Sequence, residues 1–254
     1  MFPYRDDNPT LATPVVTLLL IAANAAVWIL IQGMGRDPAL ARSVCELGLI
    51  PGEFLGRVVP GTQLPLSPGE VCVLGVERHW FTPLTSMFLH GGWLHLIGNM
   101  WFLWVFGNNV EDSMGHLRYL VFYLLCGVAA AATQTFVSPG SIVPMVGASG
   151  AISGVMGAYL ILYPRVRVFA IVPIGIIPIS IALPAWTMLL YWFGMQFLGG
   201  VVGSTGEQGG GVAFWAHAGG FLAGVVLVKL FARPENVQAH RAGHWAPRRV
   251  AARW

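Results

Sequence analysis

Apolar positions in this chain come in long unbroken blocks, while polar and turn-forming residues gather between them. Such blocks predict membrane-spanning helices, which need about 20 mostly apolar residues to cross a hydrocarbon core of about 30 Å. Six blocks can be drawn, at about Thr13–Ile31, Leu94–Asn108, Leu117–Val137, Ser149–Tyr163, Ile181–Val202 and Phe214–Phe231. None of them contains Asp or Glu. The fourth is short, amounting to about 22 Å of helix at 1.5 Å per residue. It is therefore expected to begin below the outer surface, reached through the uncharged stretch Ser138–Ala148. Non-helical backbone at that depth is tolerated only against protein or around a water-filled cavity.

Two stretches fall outside this pattern. The connection at about residues 32–89 is rich in Pro and Gly and too long for a plain linker, so structure of its own is expected. Short interfacial helices within Pro38–Phe54 and Glu77–Leu89 are the predicted pieces. Val168–Leu183 is apolar but carries Pro173 and Pro178. Prolines this dense break helices, which favours an irregular or strand-like interfacial loop over a seventh span. Charge supports six. The termini and even-numbered loops hold Arg5, Arg118, Arg165, Arg167, Lys229, Arg233, Arg241, Arg248, Arg249 and Arg253, and the other side only Arg36, Arg42, Arg57 and Arg78. Ten against four places both termini in the cytoplasm by the positive-inside rule.

Composition agrees with a membrane bundle: of 254 residues, 56% are hydrophobic and 10% charged, against about 25% charged in a soluble domain. The resulting organisation is a short cytoplasmic N-terminus at 1–12, a membrane domain at 13–231, and a basic cytoplasmic tail at 232–254. The tail is expected either to be flexible or to rest on anionic headgroups. MFPYRDDNPT is a poor signal-peptide n-region, so the first span is read as uncleaved. With no organelle transit pattern ahead of it, a prokaryotic plasma membrane is expected. Three cysteines cannot form a zinc cage, and no metal, organic cofactor or nucleic-acid partner is implied. Cys45 and Cys72 share the long loop. They form a disulfide if that loop faces an oxidising compartment, or remain two free thiols.

The chemistry lies in the few polar residues inside apolar blocks, where such groups are costly and usually mark function. Ser149 opens the fourth block within Gly147-Ala148-Ser149-Gly150. There, exposed helix N–H groups and the positive dipole end favour a developing anion. His217 interrupts the sixth block and shares a face with Gly220, Phe221 and Gly224. Small residues on that face admit a close neighbour, and Ser149, Ser153, Gly154 and Gly157 form a matching stripe. Pressed together, the two faces bring imidazole to serine, as nucleophile activation by a general base requires. His95 and Asn99 stand at i and i+4 in the second block, where both can donate to a tetrahedral oxyanion. Taken singly, each has a structural reading as helix glue, and His90 suits a loop-to-helix structural role.

Together, His90-Gly-Gly-Trp-Leu-His95-Leu-Ile-Gly-Asn99, Gly147-Ala-Ser149-Gly150, and Ala216-His217-Ala-Gly-Gly220-x-x-x-Gly224 resemble the rhomboid family of intramembrane serine proteases. So does Phe106-Gly107-x-x-Val110-Glu111 leaving the second span, and the resemblance covers almost the whole chain. It implies an all-α polytopic fold, a six-transmembrane-helix bundle with a long structured first loop. It also implies Ser149 as nucleophile, His217 as base, and an oxyanion hole of His95, Asn99 and the Ser149 N–H. Substrates would be transmembrane proteins, met among membrane lipids and thought to enter beside the fifth span. There Trp186, Trp192, Phe193 and Phe197, facing Trp101 and Trp104, are candidate gate residues, with a lipid-facing or core role as the plainer reading. Two positions depart from the family pattern. Ser153 stands where many members carry an aromatic against the histidine, and Arg78-His79-Trp80 replaces a Trp-Arg pair in the loop. The alternative function is a catalytically inactive relative that binds or escorts membrane proteins. A proton-relay transporter is remote, because no inverted repeat is apparent.

Overall fold

The computed structural model describes residues 1–76, 79–175, 177–203 and 213–245. Glu77 and Arg78 of the loop lie outside these ranges, as do Arg248, Arg249, Arg253 and Trp254 of the basic tail. The chain is mostly helical rather than all-α. Strand β1 (Phe2–Asp6) precedes helix α1 (Val15–Leu30). The long connection then contributes α2 (Ala39–Leu47), α3 (Pro51–Phe54), β2 (Thr62–Ser67), β3 (Glu70–Leu74) and α4 (Thr82–Thr85). Next come α5 (Trp93–Met114), α6 (His116–Val137) and α7 (Ser149–Leu162). Strands β4 (Arg167–Ile174) and β5 (Ile177–Pro184) lead to α8 (Ala185–Gly203), α9 (Phe214–Phe231) and α10 (Pro234–Trp245). Among the described residues, α6, α8 and α9 are long and apolar enough to cross a membrane, while α1 and α7 are apolar but shorter.

Short α7 occupies the middle of the bundle. Every residue from Ala151 to Tyr159 is buried, and α5, α6, α8 and α9 all pack against it. Its own residues are small on the side toward α9. A Cβ on Gly224 would land in the Gly154 carbonyl, and one on Gly220 in the Gly150 carbonyl. Glycine at both places lets the two backbones touch, which is how helices gain contact where lipid offers no hydrophobic drive.

Helix α5 runs past the expected end at Asn108 to Met114 and carries Glu111 and Asp112 in its last turn. The reason is a cap on another helix. Buried Glu111 accepts the Val16 and Thr17 N–H groups at 2.8 Å each and the Thr17 hydroxyl at 2.7 Å. Those are orphan donors at the start of α1, which Pro14 precedes, and a carboxylate there also meets the positive dipole end. His116 Nδ1 completes the set, 2.6 Å from Oε1, the oxygen that also accepts the Val16 N–H.

Among the described residues, two small sheets accompany the helices. Val168–Leu183 falls within the antiparallel β4–β5 hairpin, and β1 pairs with β4 to make the order β1-β4-β5. Asp7 anchors this sheet through the Arg167 guanidinium at 2.8 Å. Strand β1 lies on α5, where the Trp101 indole donates to the Pro3 carbonyl at 2.7 Å. The long connection holds a β2–β3 hairpin absent from the sequence expectation, besides α2, α3 and α4. Cys45 on α2 and Cys72 on β3 are joined by a disulfide, with Cα atoms 5.6 Å apart. The tail continues as α10 instead of leaving the bundle directly.

Candidate active site

Ser149 is the first residue of α7. The loop reaching it turns through Gly147, whose φ of +128° is a conformation that side chains rarely adopt. Space is equally restrictive: a Cβ on Gly147 would stand 2.8 Å from His95 Nε2. The Gly147 N–H is held by the Ser86 carbonyl at 2.9 Å. The serine is thus delivered to the helix N-terminus by a turn only glycine can make, with the His95 ring against it.

Across the α7–α9 glycine contact, His217 Nε2 lies 2.7 Å from Ser149 Oγ. On the far edge of the ring, Nδ1 lies 2.7 Å from Gln196 Oε1 on α8. Trp192 packs beside the ring, with centroids 5.9 Å apart and the planes tilted by 40°. Ser153, standing where an aromatic was expected, is fully buried and donates back to the Ser149 carbonyl at 2.5 Å. The wall beside the imidazole therefore comes from α8 instead of α7. Gln196 went unremarked in the sequence, although the rule that singled out His217, a polar group inside an apolar span, applies to it equally.

His95 and Asn99 line the same cavity of about 390 Å³ as Ser149, His217, Trp192 and Gln196. The Gly91 N–H donates to His95 Nδ1 at 3.3 Å. Nδ1 is thereby the acceptor, so Nε2 carries the hydrogen on the edge next to Gly147. The Asn99 amide nitrogen is buried with no partner among the described residues. An unpaired buried donor costs about 1–3 kcal/mol, and an anion in the cavity would satisfy it. The first N–H groups of α7 likewise lack intrahelical acceptors. Ser149 thus has the His217 imidazole on one side and hydrogen-bond donors on the other.

His90 stays outside this constellation. It is fully buried, and the Gln32 amide clamps its backbone, donating to its carbonyl at 2.9 Å and accepting from its N–H at 2.8 Å. Burial, aided by the neighbouring His95, pushes its imidazole down to about 3, so it is neutral. The aromatics proposed as a gate divide. Trp192 and Phe193 turn inward, the latter stacking on Phe221 at 4.8 Å, while Trp186 and Phe197 are about half exposed. Trp101 packs on Phe2 of β1 at 5.5 Å, and Trp104 is half exposed.

A family model of the Rhomboid domain matches residues 77–234 of this chain. The chain is similar to Rhomboid-like protein 11, chloroplastic, of Arabidopsis thaliana, at 40% identity over 75 residues, or 30% of this chain and 26% of that protein. It is 39% identical over 84 residues to Rhomboid protease GluP of Bacillus subtilis (strain 168), covering 33% of this chain and 16% of GluP. Rhomboid-like protease 5 of Toxoplasma gondii is 31% identical over 174 residues, 63% of this chain and 17% of that protein. The chain thus spans about a quarter or less of the length of each of these relatives.

Proposed function

Since the chain belongs to the rhomboid family, we propose that it is an intramembrane serine endopeptidase that cleaves transmembrane proteins with a Ser149–His217 dyad. The observation that carries this reading is the 2.7 Å contact between Ser149 Oγ and His217 Nε2 at the floor of a cavity. Ser149 Oγ attacks the scissile carbonyl while His217 Nε2 takes its proton. The oxyanion is held by His95 Nε2–H, the Asn99 amide and the Ser149 N–H. His217 returns the proton to the leaving amine, and water hydrolyses the acyl-enzyme by the same route in reverse. In this reading Ser149 and His217 move the protons, while His95, the Asn99 amide and the Ser149 backbone N–H stabilise the charge.

The same proposal includes topology. Helices α1, α5, α6, α7, α8 and α9 are the six spans of a membrane domain at 13–231. Residues 1–12 and the basic tail at 232–254 face the cytoplasm of a prokaryotic cell. The long loop then lies outside, where an oxidising compartment preserves the Cys45–Cys72 disulfide.

The test is co-expression with single-span reporters. Wild type is expected to cleave, and Ser149→Ala to abolish cleavage while leaving expression and thermal melting unchanged. A fluorophosphonate probe should label Ser149 in the wild type alone. Undiminished cleavage by Ser149→Ala removes the nucleophile assignment. Absence of both cleavage and labelling in the folded wild type favours an inactive binding relative.

A further inference from the structure

From the contact between Gln196 and His217, we infer that Gln196 is a positioning residue. Its amide oxygen sets the tautomer and orientation of the His217 ring from α8. This rests on the proposed dyad and adds to it the element that a triad draws from a buried carboxylate. An amide oxygen only accepts, so the 2.7 Å contact to Oε1 requires the hydrogen on Nδ1. Nε2 then presents a lone pair to the Ser149 hydroxyl at 2.7 Å, the form a general base needs. The opposite tautomer would point an N–H at the serine and could not take its proton.

The surroundings leave the ring no other anchor of this kind. Among the described residues lining the cavity, only His95 and His217 titrate, so no carboxylate takes this place. Ser153 is turned back onto the Ser149 carbonyl. Trp192 and Gln196 are one turn apart on α8, and both meet the imidazole, whereas Met195, Phe197 and Leu198 of the same helix are exposed. The parts are therefore held by different elements. The backbones bearing Ser149 and His217 are locked by glycines of α7 and α9, while the ring is aimed by α8. A displacement of α8 would leave the two residues in place and release the base from its acceptor.

Two substitutions test this, each compared with wild type and Ser149→Ala for folding, kcat, KM and pH profile on a transmembrane reporter. A general base contributes about 10²–10⁴-fold, and a ring free to choose tautomers keeps part of that. Gln196→Met is therefore expected to lower kcat by about 10- to 100-fold, with KM within about twofold and melting unchanged. Gln196→Glu keeps an acceptor at the same reach and should retain kcat within several-fold. A carboxylate there also favours the protonated ring. The acid limb of kcat/KM should consequently move to higher pH by about one unit or more, a change that a packing role would not produce. Wild-type kcat in the Met variant, or a wild-type pH profile in the Glu variant, overturns the inference and leaves the dyad standing. A folded wild type without Ser149-dependent cleavage removes both.

Discussion

Replacing Gly147 by Ala adds one methyl at the point where the loop, Ser149 and His95 converge. The new Cβ would lie 2.8 Å from His95 Nε2 and 3.4 Å from Ser149 Oγ. Non-bonded heavy atoms settle at about 3.5 Å or more, so the serine can stay while the imidazole or the loop must yield by about 0.7 Å. The φ of +128° adds a backbone penalty, of about 1–3 kcal/mol for a side-chain-bearing residue held in such a region. If His95 donates to the oxyanion, the displacement acts mainly on the transition state. Misplacement by 1 Å can cost about 10²-fold and loss of a donor about 10²–10³-fold. Gly147→Ala is accordingly expected to lower kcat by about 10- to 100-fold with little change in KM, and to reduce the melting temperature modestly. Gly140→Ala, in the same loop but facing open space, is the control and should leave kcat unchanged. Reporter cleavage in detergent or liposomes supplies the rates, and a thermal melt reports the fold. A folded Gly147→Ala variant within about twofold of wild-type kcat would refute the placement of His95 at the oxyanion.

Gly224→Ala should destabilise the bundle by about 1–3 kcal/mol or more, because its Cβ would land in the Gly154 carbonyl. Gly194→Ala on α8, with nothing within 4 Å, should be neutral in the same melt, and equal losses would count against a tight α7–α9 contact. Asp6 supplies a pH effect. Burial pushes its carboxyl up to about 6, although the Tyr159 hydroxyl donates to it and opposes the shift. The folded state thus holds that proton more tightly than the unfolded chain. The stabilisation it brings is complete below about pH 4 and lost as pH rises through about 6. Asp6→Asn should flatten the fall in melting temperature between pH 4 and pH 6, and parallel curves for variant and wild type would exclude this source.

Much of the site could be read from the chain because its signals are local. Ser149, His217, His95 and Asn99 stand out by being polar inside apolar blocks, and helical periodicity places the glycines of α7 and α9 on matching faces. The shortness of α7 follows from counting residues. Glu111 was visible as part of a motif, but its service to α1 depends on a contact with residues 94 and 95 positions earlier. The pairing of β1 with β4 likewise joins Asp6 to Val168, and no local pattern specifies which distant edge a short strand will find.

The sequence by itself determined the family pattern and the apolar medium, since residue type, spacing and hydrophobic length are properties of short segments. Tertiary structure alone decided how the His217 ring is held. Ser153 removes the expected aromatic from α7, and Trp192 and Gln196 take over from α8. Which face of α8 meets His217 depends on the rotation and crossing of a helix that is apolar nearly all round. With apolar residues on every side, periodicity carries no preferred direction. Packing supplies that direction, and with it the acceptor that leaves His217 Nε2 free to face Ser149.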